Sequence, residues 1–347
     1  MDKPVPHKRR ARYQGTHPKR FNEKYKELDP EKYGETIEKI IQKGNTPAGM
    51  HISICVNEIL EILQIAPGQT GLDATLGYGG HALEILKRLD GSGHLYALDV
   101  DPIELVKAKN RLHKLGYGPD LLTARQLNFE NIDQAALEGS LDFVLADLGV
   151  SSMQIDNPDR GFTYKREGPL DLRLNPEEGY TAADRLRTIS GYELEGILTE
   201  NADEPYAREI SIAIVSKIKK GFDVTTTTIL REIINEALGF IPADQRKDAI
   251  NKSSQRTFQA LRIDINHEFD ALATFLEKLP NVLKSGARVA ILTFHSGEDR
   301  LVKTSFKSLF HEGIYSAVAR TVIRASAEEC ARNSRARSAK LRWAVKA

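Results

Sequence analysis

Gly71-Leu72-Asp73-Ala74-Thr75-Leu76-Gly77-Tyr78-Gly79-Gly80-His81 is the stretch that decides the fold. The short apolar run from Thr70 to Ala74 reads as a strand, Gly77, Gly79 and Gly80 break it, and a helical pattern (Leu83, Ile85, Leu86, Leu89) resumes at His81. Strand, glycine turn, helix is the opening half of a doubly wound nucleotide-binding unit. Glycines there permit positive φ and let a ligand approach the backbone without meeting a Cβ. A second strand, His94–Asp99, follows Gly91-Ser92-Gly93 and ends in an acid. An acid at that strand tip is placed to accept hydrogen bonds from both hydroxyls of a ribose. The turn is not G-x-G-x-x-G, and Asp73 puts negative charge where a dinucleotide would place its pyrophosphate. A ribose-bearing cofactor with a cationic end, such as S-adenosylmethionine, fits better. The plain alternative, a glycine-rich turn without a ligand, leaves the paired strand-end acids unexplained.

The rest of the chain extends this unit. Asp101-Pro102 is a helix start signal for a helix to about Leu115. Strand three is expected at Leu121–Ala124 and strand four at Leu141–Asp147, again ending in an acid. Ligands bind outside the carboxyl ends of strands in open α/β sheets, so Asp73, Asp99 and Asp147 are expected to share one crevice. Upstream, an amphipathic helix is read at 56–63. Beyond Asn157 the alternation stops. A long loop containing Arg160, Phe162, Asp171 and Arg173 leads into helices near 181, 204–220 and 227–238. A further long helix is expected to open at Thr257 and reach Lys278. A buried strand at Arg288–Phe294 returns to the sheet, and 315–323 with 339–345 reads as a closing antiparallel hairpin. The fold expected is α/β, a mostly parallel doubly wound sheet with an inserted helical domain at 157–255.

The 347 residues carry a formal net charge of +1, so bulk charge names no partner. Its distribution is informative: residues 1–26 and the segment from Arg332 to Lys346 are both rich in Lys and Arg. Basic ends on a neutral body suggest a polyanion, most simply RNA. The plain alternative for the first is a solvated tail. Residues 1–45 read as an arm with a helix near Tyr33–Gln42. Cys55 and Cys330 form neither a disulfide framework nor a zinc spacing. No run is long and apolar enough for a membrane span, and the N-terminus lacks a secretory signal. A reducing cytoplasm is expected, with no membrane partner. Oligomeric state is not readable, a homodimer being one open arrangement.

Four stretches, DATLGYGGH, DLGVSSMQ, RGFTYKREGPLDLRL, and TFQALRIDIN with FHSGEDR, occur in this order. Together they resemble the MraW-type 16S rRNA cytosine-N4 methyltransferases of bacteria, from about His51 to Arg342. The resemblance implies a Rossmann-like class I methyltransferase domain at 46–156 plus 256–347, with the insertion recognising substrate. It implies S-adenosylmethionine contacts at Gly79, Gly80, His81, Asp99, Phe129, Asp147 and Gln154, with Phe129 beside the adenine. It implies N4 methylation of a decoding-centre cytidine in 16S rRNA of the small ribosomal subunit. Asp147 is the leading candidate to accept a hydrogen bond from the cytosine amine, with His295 as a second candidate catalytic residue. For Phe129 the plain alternative is core packing.

Arg160, Phe162, Asp171 and Arg173 are expected to grip and stack substrate RNA at the mouth of the crevice. The alternative is a structural loop whose arginines pair with Asp159 and Asp171. His295, Glu298 and Asp299 lack a second close ligand cluster, so no metal is expected. The chain departs from the family where HSLED becomes His295-Ser296-Gly297-Glu298-Asp299 and where methionines become Leu172 and Leu174. The segment between Lys303 and Asn333 is also shorter than usual, and the basic arm longer. Two rival functions stand beside this reading: a methyltransferase of the same fold acting on another RNA or on a small molecule, and a ribosome-assembly or RNA-binding factor without turnover.

Overall fold

Residues 53–347 are described by a computed structural model; the basic arm and the helix expected at Tyr33–Gln42 lie outside the described residues. After helix α1 (Val56–Leu63), the opening unit is β1 (Thr70–Asp73), α2 (Gly80–Leu89) and β2 (His94–Asp99). Then come α3 (Pro102–Lys114), β3 (Leu122–Gln126), α4 (Ile132–Ala135) and β4 (Leu141–Asp147). Asp101 caps α3 by accepting from the amides of Ile103 and Glu104, with Pro102 at the first turn.

The seven-stranded sheet has the order β3-β2-β1-β4-β5-β7-β6, where β5 is Leu283–Thr293, β6 Tyr315–Val318 and β7 Lys340–Lys346. Strands β1 to β5 are parallel, whereas β7 runs antiparallel to both β5 and β6. The order reverses between β1 and β4, and that switch point opens a crevice at the carboxyl ends of the strands. Strand β4 shows why the sheet is covered twice. Phe143 and Leu145 face the core beneath α1, α2 and α3, while Val144 and Ala146 face the core on the opposite side. The latter core is supplied by α11 (Glu268–Val282) and α12 (Ser296–His311) through Phe275, Leu276, Val302 and Phe306. A sheet buried on both faces needs continuous apolar strands, which is how β4 reads.

Between β4 and β5 lie α5 (Ser152–Asp156), α6 (Ala182–Thr188), α7 (Gly191–Ala202), α8 (Ala207–Lys219), α9 (Thr227–Ala237) and α10 (Ala243–Asn266). These inserted helices enclose a core of their own, with Leu194, Leu198, Ile210, Ile214, Leu230, Ile234 and Leu261 fully buried. That core extends to Ile265, so α10 passes residue 255 without a break.

Three element readings are corrected. Helix α10 begins at Ala243, not Thr257; its first half (Gln245, Arg246, Lys247, Asp248, Asn251, Lys252) is too polar to show an apolar stripe. It also stops at Asn266, because His267 takes the left-handed conformation (φ 49°) and starts α11 in a new direction. Strand β5 begins at Leu283, opposite Leu141, and an irregularity before Phe143 absorbs the polar Lys284-Ser285-Gly286. Among the described residues no helix is long and apolar enough to cross a membrane.

Gly71 is required by packing. A Cβ on it would lie 2.0 Å from Cε2 of the Phe143 ring on the neighbouring strand. Gly71→Ala is expected to destabilise by about 1–3 kcal/mol through overpacking, seen as a lower urea midpoint. An unchanged midpoint would contradict this packing.

Candidate functional site

The glycine turn folds over the tips of three strands. Gly77 and Gly79 have φ of 50° and 77°, and Gly79 is the N-cap of α2. Asp99, at the tip of β2, accepts from the amide of Gly77 at 2.6 Å and from the amide of Asp101 at 2.8 Å. Each carboxylate oxygen keeps a second lone pair for a hydroxyl. Burial pushes Asp99 up to about 7, against the two amide bonds that favour its charge; the nearby Asp101 and Glu104 push the same way as burial. Asp73, at the tip of β1, is 1% exposed and raised to about 6 by burial, with His81 and the Thr75 amide opposing. His81, on the first turn of α2, sets Nε2 3.3 Å from Asp147 Oδ2. Burial opposes charge on that imidazole, but the carboxylates of Asp147 and Asp73 outweigh it and hold its pKa above the ordinary value. Asp147 is fixed from behind, its amide donating to Thr75 Oγ1 at 2.6 Å.

Two acceptors are left over. Asp73 Oδ2 and Asp147 Oδ1 are buried and have no hydrogen-bond partner among the described residues. Unsatisfied buried carboxylate oxygens are costly, and here they lie beside the glycine turn. A ligand with an ammonium group and a ribose suits Asp73 Oδ2 and Asp99, and Asp147 Oδ1 is left for a further donor. The donor set therefore fits S-adenosylmethionine.

Phe129 stands half in the core, edge-on to Phe275 with centroids 5.2 Å apart. Its remaining side lines a cavity of about 260 Å³ together with Val100, Asn128, Arg173, Tyr180 and His267. The ring thus packs against the core on one side, as the plain alternative has it, and walls a cavity on the other.

A buried polar chain runs from Asp99 to the loop over this cavity. Asp101, fully buried, spends Oδ1 on capping α3 and Oδ2 on two donors, Gln154 Nε2 at 2.8 Å and Arg160 Nη1 at 2.7 Å. Gln154 Oε1 accepts from the Ser151 amide in a capping box on α5. Arg160 Nη2 donates to the carbonyls of Arg173 and Leu174. Asn266 then clamps the same loop, donating to the Leu172 carbonyl and accepting from the Leu174 amide. Leu172 sits there at φ 65°, a left-handed conformation that needs such external support.

This corrects the expectation for the loop. Arg160 and Phe162, expected to meet RNA, are 8% and 9% exposed, Arg160 within the polar chain and Phe162 within the helical core. Arg160 pairs with Asp101 rather than with Asp159. Arg173 makes a bidentate pair with Asp171 at 2.7 and 2.8 Å and lines the cavity, so these two remain on its rim. His295 is held as well. Its Nδ1 accepts from the Glu298 amide at 3.4 Å, and its Nε2 is 3.1 Å from Glu298 Oε1. Asp299 grips Arg342 of β7 with both oxygens. A Cβ at Gly297 would lie 2.4 Å from Phe269 Cζ, so the Phe269 ring fills the volume that a side chain at 297 would need. Among the described residues, the grouping of metal-type side chains is Cys55, Glu58 and Glu329, which includes none of His295, Glu298 and Asp299. Thr75, Asp101 and Asn266 carried no signal beyond the cap at Asp101, because their partners lie far away in sequence.

Residues 48–347 match the MraW methylase family. The chain is 69% identical to the ribosomal RNA small subunit methyltransferase H 1 of Lachnoclostridium phytofermentans, over 98% of this chain and 93% of that one. It is 68% identical to the ribosomal RNA small subunit methyltransferase H 2 of Alkaliphilus metalliredigens, over 98% and 97%. Among solved structures, a SAM-dependent methyltransferase from Aquifex aeolicus aligns with a TM-score of 0.40 and 13% identity, over 89% of this chain and 98% of that one. The chain belongs to the MraW methylase family, and S-adenosylmethionine is its cofactor.

Proposed function

We propose that the chain methylates the exocyclic N4 of a decoding-centre cytidine in 16S rRNA, in the cytoplasm and on the small ribosomal subunit. The observation that carries this is Asp147: its side chain is 27% exposed at the crevice mouth, with Oδ1 unengaged and Oδ2 steadied by His81. The small-subunit rRNA named for the relatives supports the substrate class.

When bound, S-adenosylmethionine supplies an electrophilic methyl group. The chain's own groups do the rest. Asp99 accepts the ribose hydroxyls, Asp73 faces the ammonium, and Phe129 packs beside the adenine. Gly79 and Gly80 allow close backbone approach. Gln154 acts through Asp101, holding the β2 tip in place. The cytosine amine is a poor nucleophile because its lone pair is delocalised into the ring. Asp147, accepting from its N–H, favours a tetrahedral nitrogen and takes up the charge that develops. Alignment of the amine is the remaining contribution. His295 and Glu298 shape the wall of the site, and the Asp171–Arg173 pair forms its rim. A C5 mechanism would need a thiolate, yet Cys55 is buried and its thiol pushed up to about 12 by burial and nearby acids.

Asp99 predicts a pH dependence. The ribose hydroxyls donate best to the ionised carboxylate, so affinity for S-adenosylhomocysteine should rise about tenfold from pH 6 to pH 8 as Asp99 loses its proton near 7. Folding of the free chain runs the other way. Folded Asp99 keeps a proton that the unfolded carboxyl, near 3.8, has lost. Its stabilising contribution is therefore complete below 3.8 and is lost as pH rises through about 7. Calorimetry with a flat affinity profile would contradict the ribose role. The substrate is tested by mass spectrometry of rRNA nucleosides from cells with and without the gene: N4-methylated cytidine should be lost, and an unchanged nucleoside profile would refute the reading.

A further inference from the structure

The valley between α9 and α10 has no part in the site described above. Its walls are single faces of two helices. Thr228, Arg231, Glu232 and Asn235 come from α9, and Ala243, Arg246, Lys247, Ile250 and Asn251 from the start of α10. Both sets recur at three- and four-residue spacing, as one helical face does. The opposite face of α9 carries Leu230, Ile233 and Ile234 into the helical core. The valley holds about 470 Å³, and its lining carries three cations against one acid, Glu232.

These cations are not spent on carboxylates. None of Arg231, Arg246 and Lys247 forms an ion pair with a described residue. Arg231 reaches Asn251 Oδ1 only at 3.5 Å and lies over the Tyr164 ring at 5.6 Å, while Arg246 Nε donates to the Ile241 carbonyl at 2.8 Å. The valley also contains Ala243, in the first turn of the 24-residue α10, where the positive dipole end favours an anion and Asp244 already supplies one carboxylate. Outside the lining, the loop joining the two helices at this end presents Phe240, 63% exposed, with its ring edge-on to Tyr206 at 5.9 Å. A cationic groove beside an exposed aromatic ring is the combination that tracks a phosphodiester backbone and stacks one of its bases.

We propose that the α9–α10 valley is a second RNA contact. Arg231 and Lys247 hold backbone phosphates of rRNA flanking the methylated cytidine, and Phe240 stacks an unpaired base. This rests on the rRNA reading and adds the surface that grips the substrate away from the reacting atoms. It also accounts for the polar outer face of the first half of α10, whose Ala249 and Ile250 pack against the helical core.

The test uses the full-length protein, binding to 16S rRNA and to small subunits across a salt series, with methyl transfer measured in parallel. R231E/K247E should bind at least about tenfold more weakly at 0.1 M salt, and the slope of log affinity against log salt should shrink by roughly two, near 0.9 for each phosphate no longer held. Phe240→Ala should weaken binding by roughly tenfold with the slope unchanged. Both should raise KM for RNA while leaving kcat at saturating RNA and S-adenosylhomocysteine affinity as in the parent protein. K303E/K307E on α12 carries the same charge change elsewhere and should bind nearly as the parent does. R231Q/K247Q, with half the charge change, guards against misfolding and should lose a similar amount of slope with a smaller loss of affinity. RNA affinity and slope of R231E/K247E equal to those of K303E/K307E would overturn the proposal. Because binding is measured separately, a methyl group found elsewhere than on cytidine N4 would refute the reaction and leave this RNA-binding surface standing.

Discussion

Arg160→Ala is expected to lower the stability of the folded chain by about 3–5 kcal/mol, the cost of leaving a buried charge without its partner. Asp101 is fully buried, and Arg160 is the cation that faces its Oδ2. The loss should appear as a lower urea midpoint with an unchanged slope. The double variant Asp101→Asn, Arg160→Met removes both charges and should recover much of the loss. The single variant should also weaken cofactor binding, since Asp101 holds Asp99 through its amide. Were Arg160 instead a surface grip on RNA, its removal would spare stability and flatten the salt dependence of RNA binding. Stability within about 1 kcal/mol of the parent protein would contradict the interior role.

Asp147→Asn should lower kcat by about a hundredfold or more, the usual range for a proton acceptor in the transition state. Affinity for S-adenosylhomocysteine should change far less, because the shape of the site is kept. A fall in kcat with little change in binding marks an interaction made mainly in the transition state. His81 sharpens the test. Its imidazole is held above its ordinary pKa by Asp147 and Asp73 against burial, so removing the Asp147 charge should lower the His81 titration seen by NMR. Equal losses in kcat and in cofactor affinity would place Asp147 on the cofactor alone.

The parallel half of the fold was legible because its signals are local. Strands β2 and β4 are apolar runs that end in an aspartate, and the glycine turn has few other conformations open to it. What escaped reading depends on partners distant in sequence. Nothing near Arg160 announces that Asp101, 59 residues earlier, will bury it. Gly297 looks like a lost packing residue until Phe269 is seen to fill the space. The break at His267 involves neither glycine nor proline, so no turn signal marks it. The polar start of α10 hid a helix because Ala249 and Ile250, which pack against the helical core there, are too few to leave an apolar stripe.

The central claim is that this crevice delivers a methyl group to an amine of small-subunit rRNA. The direct measurement supplies purified protein with S-adenosylmethionine carrying a labelled methyl group and with small ribosomal subunits, then digests the rRNA to nucleosides for mass spectrometry. The label should appear on N4 of cytidine, at one position, and should be lost with Asp147→Asn. Label on C5 of the ring or on a ribose oxygen, or none at all, would contradict it.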